Sequence, residues 1–289
     1  MSLIKFEIFR TVIESGTLSK AAETLKLTQS AVSHAIASLE NELGFTLLIR
    51  NRTGVILTEN GSKMLAYIEE MLKLNEQMMQ EAAKINGIET GVVRIGTIPS
   101  VSIQWIPSII KQFREAFPLI DLKLYEGNYD EITQWIMDGK IDFGFLSLPA
   151  SKSFETIPIK NDPLHCIVPD THPLFHHEKI QFKNLDNEPF IMPKSTIDND
   201  VRRILKKHKI TPHIQYEIAE DQAIISMVQN GLGISILPSM ILYRLPENVR
   251  AIPLESNDYR SIGIGATSFT HISPSARKLV EFIQKLFQE

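Results

Sequence analysis

The sequence predicts an α/β chain in three parts: a small helical head, one long helix, and a larger remainder in which strand-like and helix-like runs alternate. Three observations carry this. Residues 17–52 contain two short helical patterns joined by a tight turn and followed by a hairpin bearing Arg50 and Arg52. From Glu59 to Asn86 the chain has no proline and a single glycine, Gly61, near its start. After Asn86-Gly87 and Thr90-Gly91, short apolar runs separated by turn residues replace the long helical pattern.

The head begins with MSLIKFEIFRTVIE, in which Leu3, Phe6, Ile8, Phe9 and Ile13 read as an amphipathic helix rather than a signal peptide. Thr17 and Thr28 stand where hydroxyls cap the next two helices, and Lys26 and Leu27 are left as the turn. Ala21 and Ala22 remove bulk where the helices cross, and Leu25 anchors the first of them. Val32, Ile36, Leu39 and Leu43 recur at spacings of four, three and four, an apolar stripe on the second helix. Its other side carries Gln29, Ser30, Ser33, His34 and Ala37 instead of the Lys and Glu usual on an exposed face. Short hydrogen-bonding side chains let a helix press into a groove as wide as the DNA major groove. The whole is a helix-turn-helix pattern, and Gln29, Ser30, Ser33 and His34 are the candidates for base edges. Thr28, Arg50 and Arg52 are the candidates for phosphates or the minor groove.

The charge distribution fits that reading locally and not globally. The 289-residue chain has a net charge of −4, and residues 1–60 hold six basic and six acidic side chains. Residues 24–39 contain Lys26 and no acid, and residues 43–58 contain Arg50, Arg52 and no acid. One such head should therefore bind DNA modestly, and two acting together more tightly. The long helix supplies a means of pairing: Leu65, Ile68, Leu72, Asn75, Met79 and Ala82 alternate at three and four, as in a coiled-coil seam.

The residues of the head and of the start of the long helix resemble a known family. Ala21-Ala22, Leu25, Thr28-Gln29-Ser30-Ala31-Val32-Ser33, Ile36, Leu39-Glu40, Leu43-Gly44, Leu47, Arg50, Leu57-Thr58 and Gly61 match the winged helix-turn-helix signature of LysR-type transcriptional regulators. Leu48 stands where the family often has Phe, and His34 where Arg is also common. Further on, Gly91-x-Val93-Arg94-Ile95-Gly96, Asp142-Phe143-Gly144, His172-Pro173-Leu174 and Gly231-Leu232-Gly233-Ile234 with Leu237-Pro238 match landmarks of the family's effector module. The resemblance implies residues 1–58 as a winged helix-turn-helix, 59–87 as a linker and dimerisation helix, and 88–289 as a two-lobed α/β effector domain similar to type-2 periplasmic binding proteins. The first lobe is expected at about 91–161 plus 266–289 and the second at about 162–265, with crossings near Asn161-Asp162 and Gly265-Thr267. The partners implied are double-stranded DNA, a small-molecule effector and further copies of the chain, as an antiparallel dimer and then a tetramer. The family's role also admits RNA polymerase as a partner, in the bacterial cytoplasm.

In open α/β folds ligands sit at the carboxyl ends of strands. Thr97, Ser100 and Ser102 follow the first strand of the remainder, Ser147 ends a later one, and Lys194, Ser195 and Thr196 follow the strand FIMP. Hydroxyls and a lysine at such places suit an anion, so these seven are the candidate effector contacts.

Other chemistry finds less support. There is no run of eighteen apolar residues, and the single cysteine, Cys166, reads as a buried structural thiol. His165, His172, His176 and His177 lack paired ligand spacing, so no metal is expected. Glu217, Glu220 and Asp221 read as acids around a helix start. No nucleophile elbow, phosphate loop or dinucleotide glycine pattern appears, so neither a cofactor nor an enzyme is expected. A solute-binding protein is the alternative from another class, opposed by the helix-turn-helix.

Overall fold

The computed structural model describes residues 2–51, 54–194 and 200–288. It divides into two compact units, residues 1–91 with 273–275, and residues 92–272 with 276–289. Arg52, Ser195 and Thr196, three of the candidate site residues, lie outside the described residues.

In the first unit the helices are α1 (Leu3–Ser15), α2 (Leu18–Leu25) and α3 (Gln29–Leu43), followed by the hairpin strands β1 (Leu48–Asn51) and β2 (Gly54–Leu57) and the long helix α4 (Glu59–Ile85). Thr17 and Thr28 cap as their positions suggest, each hydroxyl accepting from a backbone N–H three residues on, Lys20 and Ala31, at 3.2 Å. Lys26 ends α2 in the left-handed region (φ 54°), which closes the tight turn. Phe9, Val12, Ala21, Val32, Ile36, Leu39 and Leu47 have no solvent exposure and form one core. The hairpin is tied back to the head by the Val55 N–H, which donates to the Gly16 carbonyl at 3.0 Å.

The apolar stripe of α4 divides along its length. Ile68 and Leu72 are buried in the core of their own unit, with Met64 and Leu65 against it. That part of the seam is therefore spent inside the first unit. Tyr67, Met71, Leu74, Met78, Met79 and Ile85 stay exposed.

The second unit contains β3 (Gly91–Thr97), α5 (Pro99–Gln104), α6 (Ile106–Ala116), β4 (Ile120–Glu126), α7 (Tyr129–Met137), β5 (Phe143–Leu148), β6 (Glu155–Pro169), β7 (Pro189–Pro193), α8 (Asp200–Lys207), β8 (His213–Ile218), α9 (Asp221–Gln229), β9 (Ser235–Pro238), β10 (Val249–Pro253), β11 (Tyr259–Ala266) and α10 (Pro274–Gln288). The main sheet runs β10-β6-β11-β5-β3-β4, with β9 also on β6, while β7 and β8 pair in parallel apart from it. One core gathers Val93, Ile95, Ile109, Phe113, Phe143 and Ile283. The other gathers Leu164, Cys166, Phe190, Ile204 and Ile236, extended by a cluster around Ile191 and Ile225.

Strand β6 passes through both lobes: its residues 155–163 pair with β11 and its residues 164–169 with β9 and β10. Pro158 and Pro163 argue against a strand on sequence grounds, because neither donates to a ladder. In the sheet, the register with β11 slips by one residue at Ile159, beside Pro158, and Pro163 falls at the end of that ladder. The return crossing is earlier than Gly265-Thr267. β11 pairs with β5 and the first half of β6, and its Ile262, Ile264 and Ala266 lie in the first core. Residues 259–266 therefore belong to the first lobe, and the chain crosses back between β10 and β11. The apolar pattern of β11 shows that it is a strand and cannot show which sheet it joins.

Candidate functional site

The exposed face of α3 is assembled by its cap, its stripe and the hairpin together. Val32, Ile36 and Leu39 turn wholly inward, which leaves Gln29, Ser30 and His34 exposed on the outer side. The Thr28 hydroxyl serves the cap and also meets the Ser30 hydroxyl at 3.0 Å. Arg50 reaches from β1 to donate from Nη1 to Ser33 Oγ at 3.0 Å, so the hairpin and the helix present one surface.

The acids that balance the charge of this unit are held elsewhere. Glu40 Oε1 accepts from the N–H groups of Leu47 and Leu48, at 2.7 and 3.1 Å, which fixes the start of the hairpin. Glu42 pairs with Lys5, whose hydrogen bond holds its carboxyl below the usual carboxylate range. The first turns of α3 thus face outward with polar, hydrogen-bonding groups and no acid among them, as a surface for a polyanion requires.

In the second unit a cavity of about 570 Å³ opens between the lobes, within the size range of small-molecule sites. Its walls come from the start of α5, the start of α7, the end of β7, the start of α9 and Arg260 of β11. Arg260 is 5% exposed and Asp162, on β6, 2%. Their ion pair closes at 2.8 Å. The guanidinium also donates to Ser100 Oγ at 2.8 Å and to the Tyr129 hydroxyl at 3.2 Å. Asp162 Oδ1 in turn accepts from the Met240 N–H at 3.0 Å, beyond β9 in the second lobe. This network joins β6 and β11 to one wall of the cavity.

The residues singled out from sequence are not equally placed around it. Ser100 and Lys194 line the cavity. Ser100 does not cap α5; its hydroxyl is engaged by Arg260. Thr97 and Ser102 are outside the lining: Thr97 is 1% exposed, and Ser102 Oγ donates to Thr97 Oγ1 at 3.3 Å. Ser147 stands one layer back, its hydroxyl donating at 3.2 Å to Asp200, whose side chain does line the cavity. Arg260, Tyr129 and Asp130 line the cavity as well without any local sequence signal, and Glu220 and Asp221 read from sequence as helix-start acids. Asp221 is in the first turn of α9, yet it also lines the cavity with Glu220. Nothing local marks these residues, because each becomes part of a site only when distant segments meet.

Burial pushes the Asp221 carboxyl up to about 6; Arg260 partly opposes this and Glu220 adds to it. Asp130 is raised as well, by burial and then by Glu131. A carboxyl whose folded value exceeds its unfolded one contributes stability that is complete below about pH 4 and lost as pH rises through about 6. Asp221→Asn removes the charge and keeps the shape. Urea denaturation should therefore find this variant level with the wild type at pH 4 and more stable at pH 7.5 by about 1–2 kcal/mol, allowing for solvent access. A stability loss at pH 7.5 would show that the ionised carboxylate has a favourable partner in the fold.

A second recess, of about 730 Å³, lies where Leu148–Phe154 approaches Arg203 and Lys207. Those cations are paired, Arg203 with Asp200 at 2.5 Å and Lys207 with Asp258 at 2.6 Å. His172, one of the clustered histidines, accepts from the Leu174 N–H and meets Glu188 at 3.3 Å. Cys166 is buried, and its thiol is pushed up by that burial.

The family described as bacterial regulatory helix-turn-helix protein, lysR family, matches residues 3–62, and the LysR substrate binding domain matches residues 86–288. The chain belongs to the LysR family of transcriptional regulators. The HTH-type transcriptional regulator YvbU of Bacillus subtilis (strain 168) is 33% identical over 290 residues, 99% of each chain. The probable HTH-type transcriptional regulator LrrA of Synechococcus elongatus is 34% identical over 264 residues, 88% of each. Full-length BenM is similar in structure with a TM-score of 0.63 at 28% identity, covering 100% of this chain and 97% of BenM. Full-length OxyR from Pseudomonas aeruginosa has a TM-score of 0.76 at 21% identity, covering 100% of this chain and 95% of its own, a likeness of fold alone. The LysR chain is thus a DNA-binding transcriptional regulator with an effector-binding module, and these relatives are regulators rather than solute-binding proteins. Among the described residues no helix is long and apolar enough to cross a membrane.

Proposed function

We propose that this regulator reads its operator through α3, with Gln29, Ser30, Ser33 and His34 at base edges and Thr28, Arg50 and Arg52 at phosphates or in the minor groove. The observation that carries this is the outer face of the first turns of α3: capped, polar, free of acids and bridged to the hairpin by Arg50 and Ser33. Residues 1–58 act as the reader and 59–87 as the linker. The exposed apolar residues of α4 are the surface through which two copies pair, and two such dimers form a tetramer. In residues 88–289 a small effector bearing an oxyanion sits in the interlobe cavity, against Ser100, Arg260 and Lys194. Its greater affinity for one lobe arrangement shifts the spacing of the paired readers. The regulator works in the bacterial cytoplasm on the access or activity of RNA polymerase, and carries out no catalysis.

Gel shifts across an operator mutant series separate the roles. Gln29→Ala should flatten the preference at one base pair by about 1–3 kcal/mol. Arg50→Ala should weaken all sequences alike and reduce the salt slope by about one. If both variants lose affinity with preference and salt slope unchanged, these roles are wrong.

A further inference from the structure

The interlobe cavity has a charge balance that an anion alone does not satisfy. Among the described residues, those lining it include five acids, Glu126, Asp130, Asp200, Glu220 and Asp221, against two cations, Lys194 and Arg260. Arg260 is already matched by Asp162 at 2.8 Å, and Asp200 by Arg203 at 2.5 Å. Lys194 is left to answer the remaining acids, and it stands exposed at the rim. Asp130 Oδ1 is buried with no hydrogen-bond partner. Asp130 comes from the first turn of α7 in the first lobe, and Asp221 from the first turn of α9 in the second. Asp221 also lies close enough to Arg260 for the guanidinium to act on its carboxyl.

A ligand that was only an anion would bring like charge beside these carboxylates, at a cost that rises as the lobes exclude water. An ammonium group has three donors and no acceptor, and its bonds to carboxylate oxygens are charge-assisted. A cationic nitrogen adjacent to an oxyanion satisfies both kinds of group in the cavity, because Asp221 and Arg260 both line it. We infer that the cavity takes a zwitterion of the amino-acid class, its oxyanion on Ser100 and Arg260 and its cationic nitrogen on Asp221, with Asp130 approaching from the facing lobe. This rests on the reading of the cavity as the effector site. It narrows the ligand from any small oxyanion to one that carries an amine beside it.

The test uses the full-length protein and calorimetric titration with the standard L-amino acids, each compared with the carboxylate lacking its α-amine: alanine with propionate, aspartate with succinate, glutamate with glutarate. At least one amino acid should bind and change the gel shift, with its amine-free counterpart at least about tenfold weaker. Asp221→Asn should weaken that amino acid about tenfold or more and leave the amine-free carboxylate unchanged or tighter. No binding by any amino acid, or equal binding by the amine-free partner, overturns the zwitterion. An amine-free carboxylate that binds as tightly as its amino acid and is weakened by Ser100→Ala removes the zwitterion and keeps the cavity as the site. Binding unaffected by both Ser100→Ala and Asp221→Asn removes the cavity reading itself.

Discussion

Arg260→Met is expected to destabilise the second unit by about 3–5 kcal/mol, the loss usual when one partner of a buried ion pair is removed. Asp162 would keep its charge at 2% exposure, with the Met240 N–H still donating to one oxygen and no cation on the other. Ser100 and Tyr129 would each lose a charge-assisted bond at the same time. The methylene stem is largely replaced by methionine, so the loss reports charge rather than volume. Adding Asp162→Asn to Arg260→Met should recover most of the stability, since a neutral pair carries little desolvation cost. Urea denaturation of the two variants measures this. A single variant within about 1 kcal/mol of wild type would mean that water reaches Asp162 and that the pair does not bind β6 and β11 to the cavity wall.

Gly61→Ala should be the second severe change, although glycine inside a helix is normally worse than alanine by about 1 kcal/mol. Gly61 is buried in the first turn of α4, and a Cβ there would meet the Leu47 carbonyl oxygen at 2.1 Å and its carbon at 3.0 Å. That obstacle is backbone, so no rotamer change relieves it. The surrounding bonds leave little room to move: the Gly61 N–H donates to Thr58 Oγ1 at 2.8 Å, Thr58 Oγ1 donates to the Thr46 carbonyl at 2.9 Å, and the Thr58 N–H donates to the Leu47 carbonyl at 2.9 Å. Overpacking of this kind costs about 1–3 kcal/mol beyond the helix gain. Relief by shifting β1 would also move Arg50 off Ser33, so DNA affinity should fall with stability. Ser62→Ala, exposed on the next residue, serves as a control expected within about 0.5 kcal/mol of wild type. Calorimetric melting and a gel shift on the same samples check both. Gly61→Ala melting with Ser62→Ala would show that β1 yields freely.

The two sites differ in how far they could be read in advance. The caps at Thr17 and Thr28, the turn at Lys26 and the inward stripe of α3 depend on residues within four positions of one another, and the folded unit contains them as the spacing indicates. Periodicity along α4 was equally plain, yet it could not show that Ile68 and Leu72 are used within their own unit. The effector site was less legible. Ser100 and Lys194 follow strands and do line the cavity, but Thr97, Ser102 and Ser147 follow the same rule and do not. A rule about strand ends selects positions, while the direction of each side chain depends on what packs behind it.

By itself, the sequence determined the local parts: helix starts and stops, the apolar faces, and the polar outer face of α3. These follow from hydrogen bonding and periodicity within a turn or two of chain. Only the tertiary structure decided the lobe to which β11 belongs, and with it the placing of Arg260 beside Asp162, Ser100 and Tyr129. It also decided that Asp130 and Asp221 share one cavity. Asp162 and Arg260 are 98 residues apart, and nothing in either segment names the other. Burial and proximity set their energies, and both exist only once the sheet has closed.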